Sequence, residues 1–251
     1  MFKRIFIAMA LFMAFSTTSF ATAHTLAAAC DATWPPFEYI SSDGQIIGYS
    51  IDYLDAVGKE AGFKVEHHNV PWAVIFSELA AGKYDVIASS VSITDERKYA
   101  MDFSLPYYTV KQAVLVRKGF DISTSADLEG RRIGAQINTT GFFAARKIKD
   151  SNSMSYDSVE LAIEALHNNK LDAVICDGPV AAEFAMKKAE SAVELDIAFI
   201  LEDAEVELYG FVVRKGDKEN LALLDKGIEA VKAKGIEAEL QEKWIGAQNG
   251  Q

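Results

Sequence analysis

The sequence predicts an α/β fold made of two lobes built alike, and three observations carry that reading. Short apolar runs alternate with segments of helical spacing along almost the whole chain. Leu79-Ala80-Ala81-Gly82-Lys83-Tyr84-Asp85-Val86-Ile87 matches Leu166-His167-Asn168-Asn169-Lys170-Leu171-Asp172-Ala173-Val174 in spacing and type, each being helix end, turn and strand. Polar groups collect just past the predicted strands: Ser89 and Ser90 fall in the same slot as Cys176 and Asp177. In open α/β sheets, ligands bind at the C-terminal ends of strands.

The first residues stand apart. Lys3 and Arg4 form a basic start, Ile5 to Phe15 an apolar run, and Ala21-Thr22-Ala23 a small-residue cleavage site. Residues 1–23 are therefore expected to be a cleaved signal peptide, leaving a soluble exported chain of 228 residues. Loss of Lys3 and Arg4, the only charged residues of that segment, takes the net charge from −11 to −13. That acidity argues against nucleic acid and against anionic membrane surfaces. The length allows one large domain or two of roughly 100 residues.

Thr25 to Ala32 reads as a strand, and Pro35 and Pro36 end the extended run soon after it. Ser50 is the expected cap of a helix with Ile51, Leu54, Val57 and Ala61 inward and Gly62 closing it. Phe63 to Asn69 is a strand. Pro71 starts a helix carrying Ile75, Phe76 and Leu79, and Tyr84 to Ala88 is a short buried strand. Tyr107 to Arg117 is β-rich, Gly119 to Gly130 a polar connection, and Arg131 to Gln136 a strand. A helix from Phe142 takes Thr139 or Thr140 as its cap. Asp157 and Glu160 form a capping-box-like start to the next helix, through Leu166. Leu171 to Cys176 is a strand, Pro179 to Ala189 a helix, and Leu208 to Arg214 a strand. Leu221 to Lys234 and Ile236 to Trp244 are amphipathic helices. Cys30 and Cys176 each end a buried strand in a different half. They read as small buried apolar residues, although an exported chain with two cysteines invites a disulfide. Leu26 to Cys30 also weakly resembles a lipoprotein box.

The chemistry concentrates in Ser89-Ser90-Val91-Ser92-Ile93-Thr94-Asp95-Glu96-Arg97. Thr94 caps a helix over Asp95 to Ala100, and Asp95 and Glu96 suit its dipole. Hydroxyls, free backbone N–H groups and one guanidinium then meet at a strand end, a donor set that suits a carboxylate. The plainer alternative is that Arg97 pairs on the surface with Asp95 or Asp102. If two such lobes face each other, Ser89, Ser90, Ser92, Arg97, Thr139 and Thr140 form a donor wall opposite the acceptor Asp177. An α-amino acid carries both charges that such a cleft needs. Trp34 and Trp72 add flat apolar faces near strand ends, or belong to the core. His67-His68 reads as a solvated strand edge, and no metal site or cofactor is expected.

Asp31-Ala32-Thr33-Trp34-Pro35-Pro36-Phe37-Glu38, Gly48-Tyr49-Ser50-Ile51-Asp52, the Ser89 to Arg97 stretch and Phe103-Ser104-Leu105-Pro106-Tyr107-Tyr108 together resemble the polar amino-acid periplasmic binding proteins, solute-binding family 3, from about residue 25 to 245. The resemblance implies a two-lobe periplasmic-binding-protein fold with a hinge and a discontinuous first lobe, 24–109 completed by 208–251, around a second lobe of 110–207. It implies that Arg97, with Ser92 and Thr140, holds a ligand carboxylate, and that Asp177 and the Ser90 carbonyl take its ammonium. Trp34 and Trp72 would flank the ligand, and Asp31 would meet the side chain of a basic or amide ligand. The implied protein is a monomeric periplasmic receptor that delivers a polar or basic L-amino acid to the membrane permease subunits of an ABC importer, with no catalytic group. One departure is Asn138-Thr139-Thr140, where family members often have Gly first; Asn also tolerates φ > 0. Two other readings stay open. Cyclohexadienyl dehydratases resemble this family, and Glu38, Asp31 and Glu207 are acids available for an elimination. A sensor partner of a signalling receptor is the third reading.

Overall fold

The computed structural model describes residues 24–186, 193–201 and 206–246. The expected signal peptide and the end of the helix expected through Ala189 lie outside the described residues. Two five-stranded sheets organise the chain. The first runs in the order Lys64–Asn69, Thr25–Cys30, Val86–Ile87, Val212–Arg214, Met101–Phe103. The second runs Asn152–Tyr156, Arg132–Gln136, Ala173–Asp177, Gln112–Arg117, Leu195–Ile200. In each, the first three strands are parallel and the last two pair antiparallel.

The internal repeat is visible in the hydrogen bonds. Asp85 gives its N–H to Ala27 O and accepts Ala27 N–H on Oδ2 at 3.0 Å. Asp172 does the same with Arg132, accepting its N–H at 2.9 Å. The register Ala28↔Val86 and Ile133↔Ala173 then brings Ser90 and Asp177 to equivalent strand ends.

The first sheet takes strands from both ends of the described chain, so its lobe is discontinuous. The lobes are joined where Tyr108–Val110 pairs antiparallel with Glu207–Tyr209. A cluster of rings packs there: Tyr107 stacks on Phe211 at 4.3 Å, and Phe37 meets Tyr108 and Tyr209 edge-on at 4.9 and 5.2 Å. Helix Tyr49–Ala61 lies along helix Lys218–Ala233, and Gly227 allows the approach. A Cβ there would sit 2.5 Å from Val57 O. Helix Ile236–Ile245 is tied back by Trp244, whose Nε1 donates to Asp52 at 2.8 Å and whose ring packs against Tyr39.

Several expectations need correction. Ser50 is not a cap: helix Tyr49–Ala61 starts after Gly48, and Ser50 is buried inside it. Gly48 has φ 136°, and a Cβ would lie 2.1 Å from Phe37 O, so the chain turns there by necessity. The helix Val159–His167 is capped by Ser158, which accepts from Leu161 N, not by Asp157. Helix Trp72–Ala80 begins one residue later than expected, with Pro71 as its cap residue. The run Tyr107 to Arg117 is two strands in different sheets, and Leu208 to Arg214 is likewise split. Strands Asn152–Tyr156 and Leu195–Ile200 go beyond the sequence reading; both are edge strands, and the first is polar and half exposed. Thr94, Gly62 and Asn138 behave as expected: Thr94 accepts from Arg97 N, Gly62 is left-handed, and Asn138 has φ 58°.

Candidate functional site

The strand ends of both sheets face one cavity with an empty volume of about 340 Å³. That is the low end of the roughly 300–1,000 Å³ usual for small-molecule sites. All ten sequence-predicted residues line it, joined by Glu38 and Gln136.

Arg97 leaves helix Asp95–Ala100 and turns inward. Its Nη1 donates to Ser92 O at 2.9 Å and its Nη2 to Asn138 O at 3.1 Å, one carbonyl from each lobe. The guanidinium lies over the rings of Trp72 and Phe76, 5.5 and 5.6 Å from their centroids. The alternative surface pairings are taken by other residues: Lys98 holds Asp95 at 3.3 Å and Lys215 holds Asp102 at 2.7 Å. Of its five N–H donors, two are committed to carbonyls. Burial lowers the Arg97 pKa, opposed first by the charge of Glu207 and then by that of Asp177.

Asp177 ends its strand inside the cavity, 5 % exposed. It accepts from Trp34 Nε1 at 3.2 Å across the cleft, from Gln112 Nε2 and from the Tyr209 hydroxyl. Burial, then the charge of Glu207, pushes its pKa up to about 7; the three donors pull the other way.

Ser90 occupies a left-handed backbone position, φ 48°, unusual for a residue other than glycine. Its hydroxyl donates to Glu38 Oε2 at 2.9 Å and lies 3.3 Å from Ser50 Oγ, which is 3.0 Å from the Tyr107 hydroxyl. Ser89 Oγ accepts from Asp31 N at 2.9 Å.

The hydroxyls of Ser92 and Thr140 both donate to Glu207 Oε2, at 2.5 and 2.8 Å. A hydroxyl has one proton to give, so in this arrangement both are committed to Glu207. Thr139 is the helix cap, accepting from Phe142 N at 3.2 Å and donating to Gln136 O at 2.7 Å. Asp31 lines the cavity and also serves the fold. Its Oδ1 accepts from Thr33, and its Oδ2 accepts Trp72 N at 3.2 Å and Gln136 Nε2 at 2.8 Å. It thereby meets the N-terminus of helix Trp72–Ala80. Burial raises its pKa against those bonds.

The residues that sequence reasoning missed are Gln112, Gln136 and Tyr209, together with the buried place of Glu38. Gln136 had a signal, since it ends a strand two residues before the left-handed Asn138. Gln112 and Tyr209 lie on the crossing segments and had none. His67 pairs with Asp55 at 2.9 Å, and no group of three His, Cys, Asp or Glu poised for a metal occurs among the described residues. Cys30 and Cys176 are both free and buried.

The family described as "Bacterial extracellular solute-binding proteins, family 3" matches residues 26–247. A "Probable histidine-binding protein" of Neisseria gonorrhoeae is 35 % identical over 227 residues, 89 % of this chain and 84 % of that protein. The crystal structure of the "arginine-, lysine-, histidine-binding protein ArtJ" of Geobacillus stearothermophilus superposes with a TM-score of 0.83 at 34 % identity, covering 88 % of this chain and 95 % of the other. An ancestral amino acid-binding protein, described as a precursor of cyclohexadienyl dehydratase, gives a TM-score of 0.78 at 33 % identity, covering 88 % and 95 %.

Proposed function

The chain belongs to the bacterial extracellular solute-binding proteins, family 3, and from that premise we propose that it is a periplasmic receptor for a basic L-amino acid, serving an ABC importer. One observation carries the reading: a single guanidinium, Arg97, and a triply bonded carboxylate, Asp177, share one cavity between two lobes. Arg97 takes the ligand carboxylate with its uncommitted N–H groups. Asp177 and the Ser90 carbonyl take the ammonium, and Trp34 and Trp72 flank the carbon skeleton. Asp31 and Gln136 stand at the side-chain end. With Arg97 and Asp177 matched to the carboxylate and the ammonium, the acid Asp31 is left over among the lining residues, which favours a ligand with a second positive group. Two of the relatives carry names that concern histidine, arginine and lysine, and these point the same way.

In this reading residues 1–23 direct export and are removed. One lobe comprises 24–109 and 208–251 and the other 110–207; the receptor works as a monomer that docks on permease subunits and has no catalytic step of its own. Closing of the lobes buries the ligand. The test is a thermal-shift panel of the twenty amino acids. A ligand at about a thousand times its Kd adds about 4.1 kcal/mol, or roughly 8–16 °C for a chain of this size. Histidine, arginine or lysine should give the largest shift. A panel without any shift would refute the reading.

A dehydratase is the second reading, favoured by the likeness to a dehydratase precursor and by the buried acid Glu38. Incubation with prephenate or arogenate decides it: an aromatic product would establish it, and unchanged substrate removes it.

A further inference from the structure

Glu38 is the one acid of the cavity wall to which the receptor reading gives no task. In the hairpin of Thr33–Trp34 and Glu38–Ile40 it is the direct cross-strand partner of Trp34. Directly opposed residues send their side chains to the same face, and both line the cavity. Glu38 is 0 % exposed. Its Oε2 accepts from Ser90, but its Oε1 has no hydrogen-bond partner among the described residues. The groups facing it are the acids Asp31 and Asp177, the Cys30 thiol and the hydroxyls of Tyr107 and Tyr209; Arg97 is the only cation lining the same cavity.

A buried carboxyl oxygen without a donor is costly unless something supplies one. The wall beside it holds an indole face and a second acid, surroundings suited to a cation. We propose that Glu38 is a selectivity residue, a second acid that acts beside Asp177, and through Ser90, on the ammonium-bearing end of the ligand. The proposal rests on the amino-acid-receptor reading and goes beyond it.

Burial holds the Glu38 carboxyl above the usual carboxylate range, against the weaker pull of Ser50 and Ser90, which favours the protonated form before a ligand binds. When an ammonium arrives, the Glu38 O–H bond breaks, the proton leaves to solvent and the carboxylate faces the cation; nothing is oxidised. The free site then holds more protons than the bound one, so affinity rises with pH.

The experiment is calorimetry with L-arginine at several pH values between about 6 and 8, in buffers of different ionisation enthalpy, on wild type, Glu38→Gln and Glu38→Ala. Glutamine keeps an oxygen for the Ser90 hydroxyl and removes only the acid. Glu38→Gln is expected to release fewer protons per arginine bound and to bind about tenfold more weakly near pH 8, the size of one pKa unit of linkage, with the gap closing towards pH 6. If Glu38→Gln matches wild type in affinity and proton count while Glu38→Ala alone is impaired, Glu38 merely props Ser90 and the proposal falls. If wild type binds neither arginine nor any other amino acid, the receptor reading falls and the proposal with it.

Discussion

Replacing Arg97 by alanine is the sharpest perturbation, because binding and folding should respond by very different amounts. The side chain is half-buried and holds two carbonyls, Ser92 O and Asn138 O, one on each lobe. Their loss costs the fold about 1–3 kcal/mol. For a chain of this size the melting temperature then falls by about 2–12 °C, and the protein stays folded at room temperature. Binding loses much more. Among the lining residues Arg97 is the only cation, so a carboxylate drawn into the cavity of the variant is left without its counter-charge. Removing one member of a buried ion pair costs about 3–5 kcal/mol, or on the order of a hundredfold to several thousandfold in Kd. Calorimetry with arginine and histidine, paired with a circular-dichroism melt, measures both terms. Arg97→Lys should fall between, since one ammonium keeps the charge but cannot serve two carbonyls and a carboxylate as a planar fork does. Near-normal affinity in a folded Arg97→Ala protein would refute the assignment, and full affinity in Arg97→Lys would refute the argument from the fork.

Asp177→Asn should weaken every α-amino acid alike, measured by competition across the panel; loss of one side-chain class only would move Asp177 to the side-chain pocket. With its pKa raised to about 7, Asp177 binds a proton in the folded state that the unfolded chain has already released above about pH 4. Its contribution to the stability of the free protein therefore declines as pH rises from about 4 to 7, while affinity for an ammonium increases; saturating arginine should cancel Asp177's share of the decline seen in melts without it, and Asp177→Asn should remove that share from the free protein. Asp31→Asn should narrow the difference between arginine and glutamate in calorimetry and also lower the melting temperature, because Asp31 meets the Trp72 N–H; glutamate binding tightest to wild type would count against the side-chain role. Gly48→Ala should cost several kcal/mol in denaturant unfolding, since φ 136° and a 2.1 Å approach to Phe37 O leave no room for a Cβ.

The features that could be read from the sequence were local. Thr94, Arg97 and Asn138 carry their conformations in their own residue types, and each behaves as its type and neighbours suggest. Asp85 and Asp172 were legible because the chain repeats the same turn. Ser50 was misread because it looks like a cap until Ser90 and Tyr107 arrive from forty and fifty-seven residues away to claim its hydroxyl. Glu207 was legible as an acid and not as the acceptor of Ser92 and Thr140. That role exists only because the return strand crosses between the lobes. Gln112 and Tyr209 stayed hidden for the same reason: each lies in a strand whose pattern reports burial and says nothing of the neighbouring lobe.

The placement of the tryptophans has an optical consequence. The chain has three. Trp34 and Trp72 line the cavity, one bonded to Asp177 and the other beneath the Arg97 guanidinium. Trp244 sits against Tyr39 on the outer helix and serves as a constant background. The crowded rings where the lobes join are all tyrosine or phenylalanine, silent when light excites indole alone. Above that background, intrinsic emission from the unlabelled protein samples the first-lobe wall of the cleft, where Trp34 bonds across to Asp177, and the swing of the lobes can be timed without attaching a dye.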